Sequence, residues 1–429
     1  MTGRRPSTLL ASLAALALVA GACGGDDDAS PATTAAAETT TAATEPAPET
    51  TEAPATTEPA PTTTEPAPTT TVDLAELAST YAEPGPYPVG VSTYTLAKGP
   101  SVEVWYPAVE GTTGEVTYDV RDFTPPAIRE ILTADVPATF TFVGARDAEA
   151  AEGTFPVVLF SHGFTGIRLQ SSFLTSHLAS WGYIVAAPDH PSRDLPNVLS
   201  ATASGDRADS VDDLLQTLDL VVAEGAAADG LLSGRVDAEN VVAVGHSAGG
   251  GTIVGAALDD RIDGYVSMAS GVALGDPAAT TTTAADGASG LPDKPSFFLA
   301  GSVDAVVSPE ERTRPSFEAV PEPSLLWIID GVGHNGFDDF CTFGGGTGII
   351  GVAQASGLGA FLDAQPQLRA LGEDGCVPPA VPVDETFPMI RHAVTAWINQ
   401  LFGIDDAPIG ITPEFADSFA QPVEIQQRP

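Results

Sequence analysis

The chain of 429 residues carries 57 acidic against 17 basic side chains, a formal net charge of −40 at pH 7. It contains no basic patch, which excludes nucleic acid as a partner and sets the field of the protein against polyanions and anionic membrane surfaces. Its three cysteines and six histidines form no cluster with metal-ligand spacing, so neither a metal nor another cofactor is expected.

At the N-terminus, Arg4 and Arg5 precede an apolar run, LLASLAALALVAGA, that leads into Cys23. The segment resembles a bacterial lipoprotein signal: residues 1–22 would be removed and Cys23 lipidated as the mature N-terminus, although Ala20 stands where such signals usually carry leucine. An ordinary secretory signal cut elsewhere is the alternative; both imply export, and the lipidated form a place at the bacterial cell surface. Residues 23–72 are then almost entirely Thr, Ala, Pro, Glu and Asp, with the self-similar stretch TTEPAPTTTEPAPTTT. Such a composition buries too little surface to offset chain entropy, so a disordered tether is expected, with the membrane reached through the N-terminal lipid only.

A domain of class α/β is expected over residues 73–405, with residues 406–429 as a C-terminal tail. VGVSTYTL and SVEVWYPA alternate as a β-hairpin, and PPAIREIL is a short helical candidate. FPVVLF reads as a buried strand, RLQSSFLTSHLASWG as an amphipathic helix stopped by glycine, and YIVAAPDH as the next strand. RADSVDDLLQTLDLVVAEG opens with acids in its first turn, which favours a helix. NVVAVGHS is a strand, AGGGTIVGAAL a helix, and IDGYVSMAS, PSFFLAG and SLLWIID three further strands. FPMIRHAVTAWINQLFG closes the domain as a helix with an apolar face. Strands alternating with helices imply a mostly parallel sheet covered on both faces, with working residues on the loops after the strands.

Those loops hold the chemistry. Gly245-His246-Ser247-Ala248-Gly249 is a Gly-x-Ser-x-Gly pattern between a strand and a helix, the setting of a nucleophile elbow. Ser247 is the candidate nucleophile. The N–H of Ala248, and that of Phe164 in the loop FSHGFTG, are candidate oxyanion donors. His334, in GVGHNGF beyond the last of these strands, is the candidate base. Asp304, in AGSVDAVVSP, is the candidate acid; Asp276 after the preceding strand is its rival, and Asp330 ranks below both. With Cys23 lipidated, Cys341 and Cys376 remain as a pair for a disulfide in an oxidising compartment. The glycine-rich segment between them is either a mobile rim of the pocket or a packed loop.

Together, FPVVLFSHGFTGIRLQSSFLTSHLASWGYIVAAPDHPS, VGHSAGGGT, AGSVDAVVSP and GVGHNGF resemble the α/β-hydrolase superfamily. Within it, they are similar to bacterial esterases related to platelet-activating-factor acetylhydrolase, dienelactone hydrolase and the cutinase-like polyester hydrolases. The resemblance implies Ser247, Asp304 and His334 as a triad, with Phe164 and Ala248 as oxyanion donors. It also keeps Asp276 in play, the acid position of the acetylhydrolases. Dienelactone hydrolases use a cysteine where Ser247 stands, and the tryptophan clamp of polyester hydrolases is missing from SMASGVALG. The expected activity is hydrolysis of small-molecule esters of short to medium acyl chain. The alternatives are a phospholipase, lipase or polyester hydrolase of the same fold, and a non-catalytic surface binding protein built on it. The sequence gives no reading of oligomeric state.

Overall fold

The computed structural model describes residues 73–133, 135–272 and 290–429. The signal-like segment, Cys23, the tether and Asp276 lie outside the described residues. The strands run β1 (Val89–Thr95), β2 (Ser101–Pro107), β3 (Glu115–Asp119), β4 (Thr139–Val143), β5 (Ala145–Arg146) and β6 (Phe155–Ser161). They continue as β7 (Ile184–Pro188), β8 (Val236–His246), β9 (Gly264–Met268), β10 (Ser296–Gly301), β11 (Ser324–Ile329) and β12 (Val423–Arg428). The helices longer than a single turn are α1 (Ser172–Ser180), α2 (Leu195–Ser200), α3 (Arg207–Ala226), α4 (Ala248–Ala256) and α5 (Arg314–Ala319). After β11 come α6 (Gly348–Ala355), α7 (Gly359–Asp363), α8 (Pro366–Glu373) and α9 (Val383–Leu401).

Ten strands form one sheet in the order β12-β11-β10-β9-β8-β6-β7-β2-β1-β5. The run from β7 to β11 is parallel throughout, and the crossovers from β6 to β7, β7 to β8, β8 to β9 and β10 to β11 each include a helix. The hairpin β1–β2 joins it antiparallel, as the alternation of its sequence predicts. Even the unbroken apolar strands divide their side chains by parity. Val158, Phe160, Val242 and Val244 pack in the core beneath α1 and α9. Val157, Leu159, Val241 and Ala243 pack in a second core beneath α3 and α4. Burial of both faces explains why these strands read as continuous hydrophobic runs. Helix α3 starts where expected, with Asp206 and Asp209 forming a reciprocal capping box.

Two regions differ from the sequence reading. Residues 406–429 are not a tail: β12 pairs antiparallel with β11 from Val423↔Ile329 to Arg428↔Ser324, so the domain extends through Arg428. The strand was hidden because only Val423 and Ile425 turn inward, while its other side chains face water or lie half-buried, as suits a sheet edge. The segment between Cys341 and Cys376 is mostly helical, folding as α6, α7 and α8 beside the carboxyl ends of the strands. A separate ribbon, β3–β4, faces this cap: Phe140 of β4 stacks on Phe343, with ring centroids 4.4 Å apart.

Candidate active site

Ser247 sits where β8 ends and α4 begins, with φ 55° and ψ −123°, a conformation that L residues rarely adopt. The flanking glycines allow it. A β-carbon on Gly249 would lie 1.9 Å from the carbonyl oxygen of Ser161, and one on Gly245 would lie 2.5 Å from the carbonyl oxygen of Gly249. The backbone N–H of Ser247 donates to the carbonyl of Met268 at 2.9 Å, pinning the elbow to the neighbouring strand β9.

The structure brings three of the candidate residues into one hydrogen-bonded line. Ser247 Oγ lies 2.9 Å from Nε2 of His334. On the other side of the ring, Nδ1 of His334 lies 2.9 Å from Oδ2 of Asp304. A carboxylate accepts only, so Nδ1 carries the ring proton and Nε2 is free to accept from the serine hydroxyl. The second oxygen of Asp304, Oδ1, accepts from the backbone N–H groups of Val306 at 2.9 Å and Val307 at 2.7 Å, which fixes the carboxylate in its turn. Asp330 is occupied elsewhere, accepting from Ser302 Oγ at 2.9 Å.

The loop after β6 carries Phe164 to the cavity that Ser247 and His334 also line. Ala248 opens helix α4, where the first N–H groups have no intrahelical acceptor. The loop is gripped by Arg193, whose Nη2 and Nε donate to the carbonyl of His162 at 2.9 and 3.1 Å, while its own carbonyl accepts from Thr165 N. Burial lowers the Arg193 guanidinium to about 9. Arg193 also donates to Ser161 Oγ, which in turn meets Nε2 of His190, whose Nδ1 lies 3.0 Å from Asp213. This second Ser-His-Asp line has no opening to a substrate, since Ser161 and His190 are fully buried. It holds the loop.

A further network went unread in the sequence. Gln170 accepts from Gly163 N at 2.9 Å and donates through Nε2 to Nδ1 of His246 at 2.6 Å. With an amide donor on that side, His246 carries its proton on Nε2 and donates it to the carbonyl of His334. Burial first, and then the neighbouring His334, push the His246 imidazole well below its ordinary pKa, so it stays neutral. Asp338 beside it is pushed well above the carboxylate range by burial. The position of His246 in the elbow pattern was a signal that could have found it.

Over Ser247 and His334 lies a cavity of about 170 Å³. Val120, Ile128 and Leu132 form one wall, and Ile350, Phe361 and Leu371 of the cap form the other. Cys341 and Cys376 are joined by a disulfide, with Cα atoms 4.9 Å apart, so the cap is stapled at both ends.

Comparison with known proteins shows a likeness of fold. A solved structure of ferulic acid esterase from Streptomyces cinnamoneus superposes with a TM-score of 0.54 over 81% of this chain and 99% of its own, at 21% identity. The fold is that of the α/β hydrolases. The family model described as chlorophyllase matches residues 138–286, a stretch that includes Ser247 and ends before Asp304 and His334. No curated protein matches by sequence. Within this fold, the Ser247 elbow after β8, the Asp304 loop after β10 and the His334 loop after β11 all follow the carboxyl ends of their strands, where such folds collect their working residues.

Proposed function

We propose that the protein is a serine carboxylic-ester hydrolase acting through an acyl-enzyme on Ser247. The observation that carries this reading is the continuous line Asp304–His334–Ser247 at the floor of an apolar cavity. Ser247 Oγ attacks the ester carbonyl as its proton passes to Nε2 of His334, and Asp304 stabilises the imidazolium. The N–H groups of Phe164 and Ala248 take the oxyanion. His334 then protonates the departing alcohol, accepts a proton from water as that water attacks the acyl carbonyl, and returns it to Ser247 as the acid leaves. The chlorophyllase match and the ferulic acid esterase likeness support ester hydrolysis as the reaction class.

The cavity supports short- to medium-chain esters. An apolar cavity of about 150 Å³ takes up benzene, so this one suits an aromatic ring or an aliphatic chain of about six to eight carbons. The signal-like start, Cys23 and the tether support an exported enzyme anchored by an N-terminal lipid. Ser247→Ala should lower hydrolysis of a four-carbon aryl ester by about 10⁴-fold while the domain stays folded. A fluorophosphonate should label the wild type at Ser247 alone. Labelling at another residue, or activity retained in the variant, would remove the assignment.

A further inference from the structure

The acid and the base of the triad stand on different loops, after β10 and after β11, and their alignment depends on how those loops are held together. The loops contact each other directly: Val303 N donates to the carbonyl of Val332 at 3.1 Å, and Ser302 Oγ donates to Asp330 and accepts from Gly331 N, both at 2.9 Å. A further tie comes from outside both. Asp374, at the end of α8, accepts through Oδ1 from His334 N at 2.7 Å and through Oδ2 from Ala305 N at 2.9 Å. One carboxylate therefore takes an N–H from the base itself and an N–H from the residue following the acid. Its own carbonyl accepts from Asn335 N at 3.0 Å and from Asn335 Nδ2 at 2.8 Å, so the residue after the base is held as well. Ala305 is exposed, and without Asp374 its N–H would face water.

Asp374 does not belong to the loops it joins. Its N–H donates to Ala370 in the last turn of α8, the helix whose Leu368 and Leu371 line the cavity, and Cys376 two residues on is disulfide-bonded to Cys341. We propose that Asp374 is a positioning residue for the triad: it sets the distance between the Asp304 and His334 loops and ties that distance to the cap enclosing the substrate. The proposal rests on the hydrolase reading above. Charge-assisted bonds to backbone N–H groups are short and directional, which suits them to this task. Small losses of alignment are costly, because a misplacement of about 1 Å in a catalytic group can lower the rate about 100-fold.

The decisive variant is Asp374→Asn, which keeps the shape but leaves one acceptor oxygen for two donors. In the full mature chain it should lower kcat on a four-carbon aryl ester by about 10- to 100-fold, with KM changed less than about twofold. Labelling by a small fluorophosphonate should slow by the same factor, measured per titratable serine. Glu373→Gln, which breaks only the pair with Arg369 on the outside of α8, should leave kcat unchanged. Hydrogen exchange tests the contact without a mutation: the Ala305 and His334 amides should be protected in the wild type and lose that protection in Asp374→Asn. Wild-type kcat in folded Asp374→Asn would overturn the proposal. So would a loss explained wholly by fewer titratable sites, or fast exchange of both amides in the wild type. Activity retained in Ser247→Ala would instead remove the hydrolase reading, so the two failures are distinguishable.

Discussion

His246 donates a hydrogen bond from Nε2 to the carbonyl oxygen of His334, 3.0 Å away. The residue before Ser247 thus holds the main chain of His334, while Gln170 ties the same imidazole to the loop that carries Phe164. Replacing it by leucine leaves the Gln170 amide and the His334 carbonyl without this partner in a buried site. His246→Leu should therefore cost about 1–3 kcal/mol of stability in urea denaturation and lower kcat more than it raises KM.

Chain-length selectivity should follow the cavity. Each buried methylene contributes about 0.8 kcal/mol, or about fourfold in kcat/KM, for as long as the chain fits. Efficiency on aryl esters should climb from two to about eight carbons and fall by sixteen. Ala353 lines the wall and is half-buried, so Ala353→Phe should move the optimum to shorter chains. Efficiency rising steadily to sixteen carbons, or faster hydrolysis of phospholipid vesicles, would favour a lipase or phospholipase.

The disulfide closes a separation of 35 residues, worth about 3–4 kcal/mol in the chain-entropy model. Reduction should lower the melting temperature and, since Asp374 lies two residues from Cys376, lower kcat below the melting range. Peptide mapping without reductant should recover Cys341 joined to Cys376.

Two buried groups should give opposite pH slopes. Burial pushes the Asp339 carboxyl up to about 7, so its contribution to stability is complete below about 4 and lost as the pH rises toward 7. Asp339→Asn should thus gain on the wild type by about 1.4 kcal/mol per pH unit across that range. Burial lowers the His177 imidazole to about 3, so its contribution is present above about 6.5 and lost as the pH falls. His177→Leu should gain on the wild type with acidification below 6.5. Urea titrations of the three proteins from pH 4 to 8 read both slopes.

The parallel strands, the elbow and the triad candidates were legible because each leaves a local mark. β-branched runs end in loops, small residues surround Ser247, and Asp304 and His334 follow their own strands. Asp276, the rival acid, lies outside the described residues. The ribbon β3–β4 carries a mark too, in the alternation of Val116 and Tyr118 and of Phe140 and Phe142, but no strand is assigned there from the sequence. Asp374 and Arg193 left no such mark. What they do depends on backbone groups brought to them by tertiary structure, and an acid near a cysteine or an arginine in a loop is ordinary in sequence. The cap was obscured by its glycines: Gly344, Gly345, Gly346 and Gly348 all have positive φ at the entry to α6 and hide the helix that follows.

The antiparallel pairing of β12 with β11 gives the order of synthesis a role. A chain made from its N-terminus presents β11, the strand that leads into the His334 loop, while the residues that cover its outer edge are still unmade. An uncovered apolar strand is a template for wrong pairing. Val423–Arg428 close that edge only once they too have been made. The sheet beneath the His334 loop is thus completed only after β12 is made, and a chain cut short before Val423 would leave that edge open.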